Sequence, residues 1–120
     1  MKLREVYRAA EALGEIGKNP ALTAREAYGI MKLRSALRED AAFFAGRRNE
    51  LLKRFGEPDA ETPGKYNFTD KDKMEAFQTA LRELADTDAL IRYEPVSLRG
   101  ELTGITADML SALDGLVSID

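Results

Sequence analysis

TAREAYGIMKLRSALREDAAFFAGRRNELLKRF, residues Thr23 to Phe55, is the stretch that decides the fold. Thr23 and Glu26 stand three apart, the spacing of a capping box. The hydroxyl accepts from the backbone N–H three residues on, and the carboxylate accepts from the Thr23 N–H. Pro20 precedes this start and the next proline is Pro58, so no ring interrupts the helix. Gly56 follows Phe55 as a stop signal. The reading is one helix over 23–55, roughly 48 Å long at a rise of ~1.5 Å per residue. That exceeds the usual helix of a globular domain and predicts a projecting or coiled-coil-like hairpin.

Apolar side chains follow the helical period. Ile30, Leu37, Phe44 and Leu51 recur every seven residues. Ala27, Arg34, Ala41, Arg48 and Phe55 form a second series between them, and the two make one stripe with steps of three and four. Leu33, Ala36, Phe43 and Leu52 widen it, which predicts more than one neighbour. Arg34 and Arg48 interrupt the stripe. Either their guanidiniums await an anionic partner, or their stems lie on apolar surface with the heads paired to carboxylates; the second is the commoner case.

Outward from the helix, residues 1–18 read as a first helix with Leu3, Val6, Ala10 and Leu13 on one face and Tyr7 and Ile16 at its edge. The breaker Gly17-Lys18-Asn19-Pro20 makes a short link, which predicts an antiparallel pair. Residues 56–64, with two prolines and two glycines, read as a polar loop. Its Glu57, Asp59 and Glu61 do not meet calcium-loop spacing, so no metal is expected. Lys65–Phe68 alternates like a short strand. Residues 69–86 read as a third helix, with Met74, Phe77, Leu81 and Leu84 facing the long one.

Residues 89–98 read as a strand, Ile91 and Tyr93 alternating with Arg92 and Glu94, and Pro95 marking an edge or a break. Pairing with Tyr66–Phe68 in a small sheet is expected. Residues 106–114 read as a short helix capped by Thr106, with Met109, Leu110 and Leu113 inward and Gly115 behind it. Leu116, Val117 and Ile119 predict a docked C-terminal segment. The fold class is therefore mainly α (α+β): a single domain over 1–120, built on a long-helix hairpin. A third helix packs on it, with a two- or three-stranded β element and a short last helix.

Composition narrows the chemistry. The chain of 120 residues holds neither cysteine nor histidine. Thiolate chemistry and the commonest general base are therefore missing, and no catalytic residue, cofactor or metal ligand is assigned. No signal peptide or membrane span is read, which predicts a cytoplasmic protein. The net charge of −3 is unevenly spread. Residues 1–55 carry twelve basic and seven acidic side chains, residues 56–120 six and fourteen, or +5 and −8. Such a division fits a basic patch, an acidic half folded on a basic half, or two copies paired head to tail.

The order of parts resembles a small uncharacterised family encoded by tailed bacteriophages and prophages of Gram-positive bacteria. A Met-Lys-Leu start, a long helix ending in Asn49-Glu-Leu-Leu-Lys-Arg-Phe-Gly56, an acidic loop, the Phe-bearing helix Met74–Leu84, the strand Ile91–Leu98 and the Leu-rich close Ile105–Ile119 carry the resemblance. It implies a viral setting and no assigned activity.

Three functions compete. The first is a non-enzymatic accessory protein acting through protein contacts, as an assembly factor or an inhibitor of a host system. The second is nucleic-acid binding through Arg25, Lys32, Arg38, Arg47, Arg48, Lys53 and Arg54. The acidic half weakens it, and the aromatics read as core rather than as stacking platforms. The third is a carboxylate hydrolase using Asp70, Asp72, Glu75, Asp86 or Asp88, which sit at helix ends where capping acids are ordinary. The first is the reading adopted, with Arg34, Arg38, Phe44, Arg47, Arg48, Ile91 and Tyr93 as contact candidates. The expected partners are an unidentified protein and a second copy in a homodimer.

Overall fold

The computed structural model describes residues 1–120. Its helices are α1 (Leu3–Ile16), α2 (Ala24–Phe55), α3 (Lys71–Ala85) and α4 (Ala107–Ala112). Four short strands complete it: β1 (Glu57–Pro58), β2 (Tyr66–Asn67), β3 (Val96–Leu98) and β4 (Val117–Ile119). The fold is mainly α with a small β content. No helix is long and apolar enough to cross a membrane.

The capping box forms as read. Thr23 Oγ1 accepts from the Glu26 N–H at 3.1 Å, and Glu26 Oε1 from the Thr23 N–H at 2.8 Å. From there α2 runs unbroken for 32 residues and sets the long dimension of a 50 × 32 × 22 Å molecule. Its stop is not a left-handed glycine. Gly56 is extended (φ −99°), and its N–H donates to the Leu52 carbonyl. A Cβ there would lie 2.9 Å from the Leu52 oxygen and 3.2 Å from Tyr66 Cβ. The position stays bare so that β2 can close on the helix end.

α1 lies antiparallel along the first two-thirds of α2. Ile30 and Arg34 approach Gly17, Arg34 approaches Gly14, and Phe44 meets Tyr7. The core sits at this end. Val6, Ala9, Leu13 and Ile16 of α1 and Ile30, Leu33 and Leu37 of α2 bury their side chains, sealed by Leu98, Leu113 and Leu116. Ala9 and Ala12 are buried where Ala10 was expected to lead, because small residues let the two helices close up.

α3 covers the far half of α2, and none of its residues is fully buried. Phe77, Leu81 and Leu84 are half-buried, Met74 is exposed, and Phe68 packs on Phe77 at 4.9 Å between ring centroids. The helix returns the chain to the start of α1. There the Leu3 N–H donates to the Thr87 carbonyl, and Lys2 Nζ stands 2.8 Å from Asp88 Oδ1. With the Arg4–Asp86 pair, this ties acids of the acidic half to bases of the basic half at that corner.

The β element departs from the expectation. Residues 89–98 form a strand only at Val96–Leu98, and Tyr66–Asn67 pairs with Glu57–Pro58, not with that segment. Hence there are two separate two-stranded sheets. The acidic loop folds back on itself, a local closure that costs less chain entropy than reaching a strand thirty residues away. β3 instead pairs in parallel with β4, Val96 opposite Val117 and Leu98 opposite Ile119. The docked C-terminal segment is therefore itself a strand. Leu110 points outward, unlike Met109 and Leu113. Gly115 (φ +80°) turns the chain from α4 into β4.

Candidate contact surface on the long helix

An open groove of about 1270 Å³ runs along the first half of α2, between Thr23–Ala36 and the chain from Arg92 to Arg99. Gly29 makes its floor. A Cβ there would meet Val96 Cγ1 at 3.0 Å, so the bare backbone lets β3 sit down on α2.

Glu26 closes one end. It is 6% exposed and uses both oxygens. Oε1 accepts from the Thr23 N–H and from Arg99 Nε at 3.1 Å; Oε2 accepts from the Arg99 N–H at 2.9 Å. Residues 97 and 99 of an extended chain bonded to β4 through 96 and 98 turn their amides away from it. Glu26 thus satisfies a strand-edge donor with a carboxylate. Those bonds hold its pKa down at about 2: first the Thr23 N–H, then the Arg99 N–H, with the Arg99 charge a lesser cause. Arg99 Nη2 also donates to the Ala21 carbonyl at 2.5 Å, which ties β3 to the chain before α2.

The groove walls carry different chemistry. Tyr28 on α2 and Tyr93 on the segment before β3 both line the groove and are 60% and 40% exposed. Arg25, Lys32 and Arg92 line the same space and form no salt bridge, while Glu94 and Asp120 stand among them. Across the ridge a smaller hollow of about 300 Å³ is lined by Ala10, Met31, Arg34, Ser35, Arg38 and Ala41. Ser35 borders both. Arg34 reaches over Gly14 and Gly17 at the C-terminal end of α1, where the exposed carbonyls favour a cation. No three acidic side chains converge at metal-binding distance.

The contact candidates from the sequence divide accordingly. Tyr93 lies in the groove, Arg34 and Arg38 in the hollow. Arg47 is exposed and pairs with Glu50 at 2.6 Å. Phe44 is a core side chain at 6% exposure, and Ile91 is half-buried against the core, so neither faces a partner. Arg48 is half-buried; its guanidinium stacks over the Tyr7 ring at 5.1 Å and donates to the Tyr7 hydroxyl. It snorkels as anticipated, but onto an aromatic rather than a carboxylate. Tyr28 and Arg92 escaped the sequence reading. Gly29 was the available signal, since a glycine inside a helix marks a close approach. The aromatics also divide: Tyr28, Phe43 and Tyr93 are outside, not in the core.

Comparison of the chain with protein-family models, with curated protein sequences and with solved structures returned no match.

Proposed function

We propose that this chain is a non-enzymatic accessory protein that works by gripping another protein along the open side of α2. The viral setting follows the sequence resemblance: a phage or prophage product in the host cytoplasm, acting as an assembly factor or as an inhibitor of a host system. One observation carries the contact reading. Two exposed tyrosines, one from α2 and one from the segment beside it, line a groove whose Arg25, Lys32 and Arg92 lack ion-pair partners. Tyrosine and arginine are the residues that interfaces concentrate.

The test is a tagged chain expressed in its host, compared with the Tyr28→Ala/Tyr93→Ala variant. Both side chains face solvent, so the variant keeps the wild-type circular dichroism and thermal midpoint. The wild type retains a stoichiometric protein partner and the variant loses it. A chain that retains no partner, or a variant that retains it equally, refutes the reading.

Nucleic-acid binding is the second reading, favoured by the same two tyrosines beside cations, the pairing of stacking surface and positive charge that single strands use. Glu94 and Asp120 in the groove, and the acidic half beyond it, oppose it.

A further inference from the structure

α3 is held to the rest of the molecule by apolar contact alone. Phe77, Ala80, Leu81, Leu84 and Ala85 are half-buried, and the other residues of the helix are exposed. None of them belongs to the buried cluster at the α1 end or packs against it. The hydrogen bonds of Lys71–Ala85 stay within the helix, reach its cap Asp70, or come from Asp86 and Thr87 just behind it. No ion pair includes any of these residues. The polar ties lie past the helix end, at the corner where Arg4 pairs with Asp86 and Lys2 with Asp88, and all four side chains there are more than a third exposed. On either side the chain is irregular, over residues 68–70 before α3 and residues 89–95 after it.

We infer that α3 is a releasable cover. It lifts from α2 as one unit while the core at the α1 end stays folded, and its release bares the apolar far end of α2, where Leu51, Leu52 and Phe55 are half-buried. Lifting exposes only side chains that are partly wet already, so little apolar burial is lost. It breaks no hydrogen bond between α3 and another helix. A helix of this length is marginal once its packing is gone, so the freed segment melts and regains chain entropy, which favours the open state. The corner ion pairs act as the latch. Because they are exposed, each contributes little and is screened by salt. The release is independent of the contact reading at the groove. That surface is fixed at the other end of α2 by Val96 on Gly29 and by the Glu26–Arg99 clamp, and neither moves when α3 lifts. One end of the molecule can therefore change the surface it shows while the other keeps its shape.

Native-state hydrogen exchange, read amide by amide in the full chain where reclosing outruns exchange, tests it. In the wild type the α3 amides share one opening constant, at least about tenfold larger than that of the α1 amides, which exchange only when the whole chain unfolds. Raising salt from ~0.05 M to ~0.5 M increases the α3 opening roughly threefold. Two substitutions separate release from global unfolding. Leu81→Ala weakens the closed state alone, so it raises the α3 opening and the global opening by the same factor, roughly fivefold. Ile30→Val loosens a core that stays packed in the open state. It raises the global opening roughly fivefold and leaves the α3 opening unchanged. Four results each overturn the inference: α3 amides no less protected than those of α1, an α3 opening that salt does not move, Ile30→Val shifting both openings alike, or Leu81→Ala leaving α3 exchange as it was.

Discussion

Leu37→Ala and Leu81→Ala remove the same atoms from two ends of one molecule, and they should differ severalfold in cost. Leu37 is fully buried in the cluster shared by α1, α2, β3 and the C-terminal segment. Its truncation leaves a cavity as well as losing transfer energy, about 2–5 kcal/mol. Leu81, on α3, is only half-buried, and the lost surface was partly wet already, so about 1 kcal/mol is expected. For 120 residues, an unfolding entropy of ~2.1 cal/mol/K per residue gives ~4 °C per kcal/mol. The first variant should lose ~8–20 °C in thermal midpoint and the second ~4 °C. Urea titration with a common slope, read by circular dichroism, checks that both unfold in one step. Equal losses, or a larger loss at Leu81, would refute a tight core at the α1 end and a thin layer under α3.

Three further outcomes follow from the groove. The depressed Glu26 carboxyl contributes stability above its ordinary value of 4.5, and that contribution fades as pH falls toward about 2; Glu26→Gln should flatten the acid limb of a thermal-midpoint profile between those limits, and parallel profiles would count against the clamp. Gly29→Val places methyl groups into Val96 and should cost about 1–3 kcal/mol by overpacking, whereas an unchanged urea midpoint would mean β3 is free to move. Single-stranded DNA or RNA should bind weakly and be lost at physiological salt; sub-micromolar binding in a fluorescence titration there would raise the nucleic-acid reading above the contact one.

The three main helices were legible because each has a period, and α2 and α3 also have an N-terminal signal. The Thr23–Glu26 box marked the start of α2 to the residue, and Asp70 caps α3 by accepting from the Asp72 and Lys73 N–H groups. Depth was not legible. Ile30 and Leu51 have equal standing in a seven-residue pattern, yet one is buried and the other half-exposed. Periodicity says which way a side chain points and not how many layers cover it. Ile91 and Tyr93 alternate without belonging to a strand: Ile91 leans on the core and Tyr93 faces out, so an extended chain crossing the core shows period two with no ladder. The β3–β4 pair joins segments some twenty residues apart through three residues each, and no local pattern encodes such a parallel pairing.

The contact surface and the core share their fixings, and this bears on what the surface can do. Val96 rests on Gly29, Glu26 grips the Arg99 amide and guanidinium, and Arg99 holds the Ala21 carbonyl. Each contact joins a groove wall to a fully packed neighbour, Leu98 behind β3 or Ile30 and Leu33 behind α2. The groove is therefore shaped before any partner arrives, and a partner meets little ordering cost on the backbone side. Only exposed side chains such as Tyr28, Lys32 and Tyr93 must settle. The other end of the same helix, from Gly46 onward, lies over the thin α3 layer, where half-buried side chains leave room to adjust.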